Sequence, residues 1–236
     1  MTNSTSTQKN TYKKTARIVG AFFLIAMVTS LLGGIWLESI LTAPDYLSSV
    51  SGNKTQVEIG VLLELINGLA VIGIAVAMYP IFRKQYEALA LGYVALRIIE
   101  AGIVVAAVIS PLALIALSQE YINAGAPDTS YFQTLGTSLL AVRAIWVSTM
   151  LAIFFGLGAL LFYYLLFQSK LVPRFISVWG FIAVALVLTW NLLEFFGIRI
   201  SAGIILALPM ILNEIFLGIW LIVKGFNPSA IVSPSD

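Results

Sequence analysis

Residues 18–37, IVGAFFLIAMVTSLLGGIWL, are twenty consecutive residues without a single charge. As a helix rising 1.5 Å per residue, such a run covers about 30 Å, the thickness of a bilayer's hydrocarbon core. Lipid offers the backbone no hydrogen-bond partner, so a run of this length reads as a membrane helix. It continues to Leu41, and its first charge is Glu38. Lys9, Lys13, Lys14 and Arg17 precede it, as in a secretory signal. Its apolar stretch is longer than a signal's, however, and no A-x-A-like cleavage site follows. It is read as a retained first helix.

Working outward, five more apolar runs follow: about Val57–Phe82, Ala88–Leu117, Leu135–Phe167, Pro173–Phe196 and Gly203–Val223. Strand alternation is missing, which leaves an all-α polytopic membrane protein with six transmembrane helices and no support for a β-barrel. The third and fourth runs exceed what a bilayer needs, and are expected to tilt or project beyond it. The composition agrees: of 236 residues, 60% are hydrophobic and 10% charged, against roughly 45–50% and about 25% in soluble domains. One membrane domain is expected over 14–226, between disordered cytoplasmic tails at 1–13 and 227–236.

Nine basic residues lie before the first run or after the second, fourth and sixth, and only Lys54 and Arg199 fall in the alternate loops. This bias puts both termini in the cytoplasm. The same distribution beside helix ends argues against nucleic acid as a partner, despite a net charge of +2.

Two absences narrow the chemistry. Without cysteine there is no disulfide, iron–sulfur cluster or thiolate nucleophile. Without histidine, the usual ligand of haem, copper and catalytic zinc is missing, as is the commonest general base. No cofactor, metal site or catalytic residue is assigned, and an ion site must be built from oxygen, which favours protons or hard cations.

Six charges nevertheless sit inside the runs: Glu64, Arg97, Glu100, Arg143, Glu194 and Glu214, accompanied by Asn67, Asn191 and Asn213. At about 2.5–3.5 kcal/mol each, unpaired, they would cost roughly 15–20 kcal/mol on insertion scales. They must therefore find one another. Counting 1.5 Å per residue from the cytoplasmic ends places Arg97 and Glu214 about 14 Å deep and Glu100 about 18 Å. Arg97, Glu100, Asn213 and Glu214 form the expected central polar site. From the outer ends Glu64 and Arg143 lie roughly 10–12 Å deep and Glu194 about 3 Å. With Asn67 and Asn191 they form the expected outer site.

Each layer holds two carboxylates and one arginine, and arginine stays charged. One carboxylate per layer is then surplus: it must be protonated, hold a cation or touch water. Pro209, inside the sixth run, frees the carbonyl of Ile205 near Asn213 and Glu214. An inverted repeat is not supported, because the echo Glu64-Leu-Ile-Asn67 against Asn191-Leu-Leu-Glu194 falls on one side of the membrane.

The chain resembles a bacterial family of multi-span membrane proteins catalogued as domain of unknown function 4386. The likeness is carried by Lys14-Thr-Ala-Arg-Ile-Val-Gly20, Leu96-Arg-Ile-Ile-Glu100, Ala141-Val-Arg-Ala-Ile-Trp146 and Glu214-Ile-Phe-Leu-Gly-Ile-Trp-Leu-Ile-Val-Lys-Gly-Phe226. The resemblance implies a six-helix bacterial plasma-membrane protein and brings no activity, ligand or catalytic residue. Three functions remain open: binding or translocation of a small solute, cation or proton; a scaffold or sensor, with room for a homo-oligomer; and an intramembrane enzyme acting on lipid, for which His and Cys are lacking.

Overall fold

The computed structural model is helical wherever the sequence is apolar, and it contains no strand among the described residues. It describes residues 2–127, 131–198, 200 and 203–231, with side chains from Asn10 onward except at 204 and 231. Helix α1 runs Thr2–Leu41 and stops short of Pro44, whose ring keeps the residue before it out of the helical region. A short α2, Tyr46–Gly52, leads into α3, Lys54–Ala107.

Straight, the 54 residues of α3 would reach about 80 Å, far more than a bilayer is thick. The helix is broken at Tyr86, where φ is −143° and ψ 69°. The break follows the exposed Arg83-Lys84-Gln85. Here the chain doubles back. A Cβ on Gly68 would lie 3.7 Å from the Cα of Ala101, and the rings of Phe82 and Tyr93 are 6.2 Å apart. The two arms are therefore an antiparallel pair joined end to end.

A second break separates α3 from α4, Ile109–Asn123, at Val108. Its cause is Pro111, which has no N–H to give the carbonyl of Ala107 and whose ring crowds that carbonyl. Next come α5, Tyr131–Ala144, a π-helical stretch Ile145–Leu151, and α6, Ala152–Ser169. Lys170, in the left-handed region at φ 54°, ends α6, and Pro173 opens α7, Arg174–Phe195. Helix α8, Gly203–Val223, and a one-turn α9, Pro228–Ile231, complete the chain. The Asn227 amide donates to the Leu171 carbonyl at 2.7 Å, holding the end of α8 beside the α6–α7 turn.

Five helices among the described residues are long and apolar enough to cross a membrane: Asn10–Leu41, Lys54–Asn123, Tyr131–Ser169, Arg174–Phe195 and Ile205–Val223. The second of these holds two of the six apolar runs of the sequence, because backbone helicity is scarcely interrupted at the Tyr86 fold-back. The outer surface is oily, with Leu69 at 69% and Ile205 at 65% exposure.

The long segments pack as a ring. Helix α1 lies on α3, α3 on α6, α6 on α7, α7 on α8, and α8 on α1 again. Glycine sets the last seam: a Cβ on Gly20 would lie 2.5 Å from the Gly218 carbonyl oxygen, so α1 and α8 touch backbone to backbone there. One end of the ring, beside Tyr86, is filled by Phe23, Phe82, Tyr93 and Phe162, all buried. At the other end a separate core gathers Leu37, Val50, Val57, Leu114 and Phe132. Between them the ring is hollow.

Candidate functional site

The hollow is a cavity of about 410 Å³, walled by α1, both arms of α3, the π-helical stretch, α6, α7 and α8. Its lining positions repeat at helical spacing. On α8 they are Ala207, Met210, Ile211 and Glu214, and on α1 they are Phe23, Ala26, Met27, Ser30 and Leu31. Residues three and four apart share a helix face, so each helix turns one stripe inward. On the π-helical stretch Val147 and Leu151 do the same. Most of the wall is apolar. Its ionisable groups are Arg97, Glu100 and Glu214.

Arg97 and Glu100 are three residues apart on one arm of α3, a spacing that stacks side chains on one face. Arg97 Nη1 donates to Glu100 Oε2 at 2.6 Å, and both side chains are buried. The guanidinium lies over the rings of Tyr93 and Phe155, 5.3 and 5.7 Å from their centroids. Helix α6 can come this close because residue 158 is glycine: a Cβ there would sit 3.3 Å from Arg97 Nε. That Nε has no hydrogen-bond partner, nor does the Tyr93 hydroxyl.

Glu214 enters the cavity from α8 and forms no ion pair or hydrogen bond among the described residues. Its neighbour Asn213 is turned about 100° away around the helix and is fully buried elsewhere. The Tyr163 hydroxyl donates to Asn213 Oδ1 at 2.6 Å, and Asn213 Nδ2 donates to the Ile176 carbonyl at 3.1 Å. Asn213 thus ties α6, α7 and α8 together outside the cavity. Asn67, expected in the outer site, lines the cavity instead, and donates to the Ala26 carbonyl at 2.8 Å.

Around the cavity's outer side stands a second cluster, centred on Arg143 of α5, one turn before Val147. Arg143 Nη2 and Nη1 donate to the two oxygens of Glu64 at 2.6 and 3.3 Å. Nη1 also donates to the Ala107 carbonyl at 3.3 Å. This is the carbonyl that Pro111 leaves without a helical partner. Glu38 of α1 lies 3.9 Å from Nε and is itself exposed. The arginine therefore gathers α1, α3 and α5.

Two residues expected here stand apart. Glu194 is exposed at the end of α7 and makes no ion pair among the described residues. Asn191 donates to the Val187 carbonyl of its own helix at 2.8 Å. Glu38, the Ala107 carbonyl and Tyr163 are the partners that sequence reasoning did not include. Pro111 was the available signal for Ala107, since the orphaned carbonyl always belongs to the residue four before a helical proline.

With both carboxylates ionised, one arginine against two gives the cavity a formal charge of −1. No group of three or more metal-ligating side chains is found among the described residues. No curated protein and no solved structure matches the chain. A family model described as a domain of unknown function (DUF4386) matches residues 18–225, nearly the whole chain, and the chain belongs to that family.

Proposed function

We propose that the protein is a six-crossing membrane protein that binds, and passes across the bilayer, a small solute held in the central cavity. In this reading the arms of α3 cross separately, both termini face the cytoplasm, and residues 14–226 form the membrane domain. The observation that carries it is the cavity itself, lined by α1, both arms of α3, the π-helical stretch, α6, α7 and α8, and furnished with a carboxylate, Glu214, that makes no ion pair or hydrogen bond among the described residues. Its volume of about 410 Å³ falls in the range of roughly 300–1,000 Å³ typical of small-molecule sites. Buried charge is expensive in hydrocarbon and marks functional positions. The aromatic cluster of Phe23 and Phe162 packs toward one end of the bundle and the Arg143 cluster stands toward the other.

The natural absence of cysteine supplies the test. Val147→Cys and Ile211→Cys place a thiol on the cavity wall, whereas Leu69→Cys places one on the exposed apolar face. In proteoliposomes, small hydrophilic methanethiosulfonates should modify the first two and spare the third. Cavity thiols that stay inert from both sides of the membrane would overturn the proposal. Thiols at 84 and 227 should react only from the inner side, and one at 54 only from the outer side.

A further inference from the structure

The cavity also restricts the chemistry of what it holds. We infer that its ligand is a monovalent organic cation: a protonated amine or quaternary ammonium group seated against Glu214, with an apolar body of roughly ten to twenty heavy atoms. The inference rests on the proposed binding function and specifies its ligand.

Size excludes a bare ion. A water molecule takes up about 30 Å³ of liquid, so about 410 Å³ is far more room than a dehydrated metal ion fills. Hard cations also demand six to eight oxygens at about 2.3–2.6 Å. Here the side-chain oxygens come from Ser30, Asn67, Glu100 and Glu214, spread over α1, α3 and α8, and no three metal-ligating side chains converge among the described residues.

Charge sets the sign. The Arg97 guanidinium is engaged by Glu100 at 2.6 Å and backed against Gly158, where there is no room even for a methyl group without displacement. An anionic ligand would meet two carboxylates, while the guanidinium pairs through Nη1 with Glu100 and turns its unpartnered Nε toward Gly158. Glu214 is the opposite case: it opens on the cavity, and the adjacent amide of Asn213 is committed to Tyr163 and Ile176. A ligand cation completes the neutralisation that the protein leaves unfinished.

The wall sets the body. Phe23, Met27, Val71, Leu151, Val187 and Met210 present hydrocarbon to the space. Each buried methylene of a ligand is worth about a fourfold gain in affinity against such a surface. A small, strongly hydrated ammonium ion would forgo that contribution.

Three compounds with one skeleton test this: 4-phenylbutylamine, 4-phenylbutanol and 4-phenylbutanoate, titrated calorimetrically into the full-length protein in nanodiscs. Empty nanodiscs supply the partition baseline. The amine should bind at least tenfold more tightly than the alcohol, with the acid weakest. Glu214→Gln should remove that preference while leaving the alcohol within twofold, and Glu214→Asp should restore it. Ala207→Trp, which fills the cavity, should abolish binding of all three. Equal affinities for amine and alcohol, or an amine affinity indifferent to Glu214→Gln, would overturn the cationic assignment and leave the cavity as a binding site. Failure of all three to bind while thiols at 147 and 211 remain reactive also overturns the assignment. Failure together with inert thiols would remove the binding function itself.

Discussion

The sharpest structural expectation concerns Arg143 and the proline that orphans its backbone partner. Arg143 is 4% exposed at its side chain and is held by both oxygens of Glu64 and by the Ala107 carbonyl. Deleting one member of a buried ion pair costs about 3–5 kcal/mol, because the other charge is left behind. Glu64 retains 16% exposure, so water can soften its loss, and Arg143→Met belongs at the lower end, about 3 kcal/mol. Part of that loss is the stranded carbonyl, worth about 1–3 kcal/mol when buried and unpaired.

Pro111→Ala returns an N–H to position 111, and so a helical donor to Ala107. Arg143→Met made in that background should therefore cost at least about 1 kcal/mol less than in the wild type. Reversible denaturant unfolding in mixed micelles of the wild type, both single variants and the double variant measures this coupling. Unconnected sites add within about 0.3–0.5 kcal/mol. A cycle that closes within that margin would refute the assignment of Arg143 as the satisfier of the Ala107 carbonyl.

Asn213→Leu removes both bonds that join α6, α7 and α8, and should cost about 1–3 kcal/mol, read in the same unfolding assay. Tyr163→Phe, losing one neutral bond, should cost about 1 kcal/mol. Gly20→Val forces a Cβ carrying two methyl groups into the α1–α8 seam, where a Cβ alone is already 2.8 Å from Ile222 Cγ1. It should destabilise by at least about 1–3 kcal/mol, whereas Gly34→Ala, with nothing within 4 Å, should be neutral or stabilising by up to about 1 kcal/mol. Replacing the central pair as Arg97→Met with Glu100→Leu should leave stability unchanged or raise it by about 1–4 kcal/mol.

How much of this is readable in the chain depends on whether an interaction is local. The three-residue spacing of Arg97 and Glu100 places them on one face whatever the tertiary packing, and they touch at 2.6 Å. Depth arithmetic puts Glu64 and Arg143 at one level, although their spans are 79 residues apart. Depth carries no azimuth, however. Asn213 and Glu214 share a level and face different neighbours, one bound to Tyr163 and the other open to the cavity. Glu194, only about two residues from its helix end, reaches the exterior, and the exposed Glu38 stands beside Arg143 in its place. The backbone confuses the count of helices as well. Tyr86 folds the chain back within what remains nearly continuous helix, so two apolar runs form one helical element. The π-helical register at Ile145–Leu151 has no marker in residue type.

The two arginines differ in what their ion pairs join. A polar clamp that fixes helix packing has to join different helices, and Arg143 does so, drawing on α1, α3 and α5 with a backbone carbonyl besides. The contacts of Arg97 with Glu100 stay within a single helix, and Glu214 joins nothing among the described residues. That ion pair would form in any arrangement that buried the face, and the link of Arg97 to another helix is its approach to Phe155 and Gly158 of α6. Burial of the pair still carries a desolvation penalty, which close pairing offsets only in part. Packing therefore accounts for the outer cluster and leaves Glu214 without a partner among the described residues. In the proposed reading a cationic ligand in the adjoining cavity supplies that partner, offsetting the surplus of two carboxylates over one arginine.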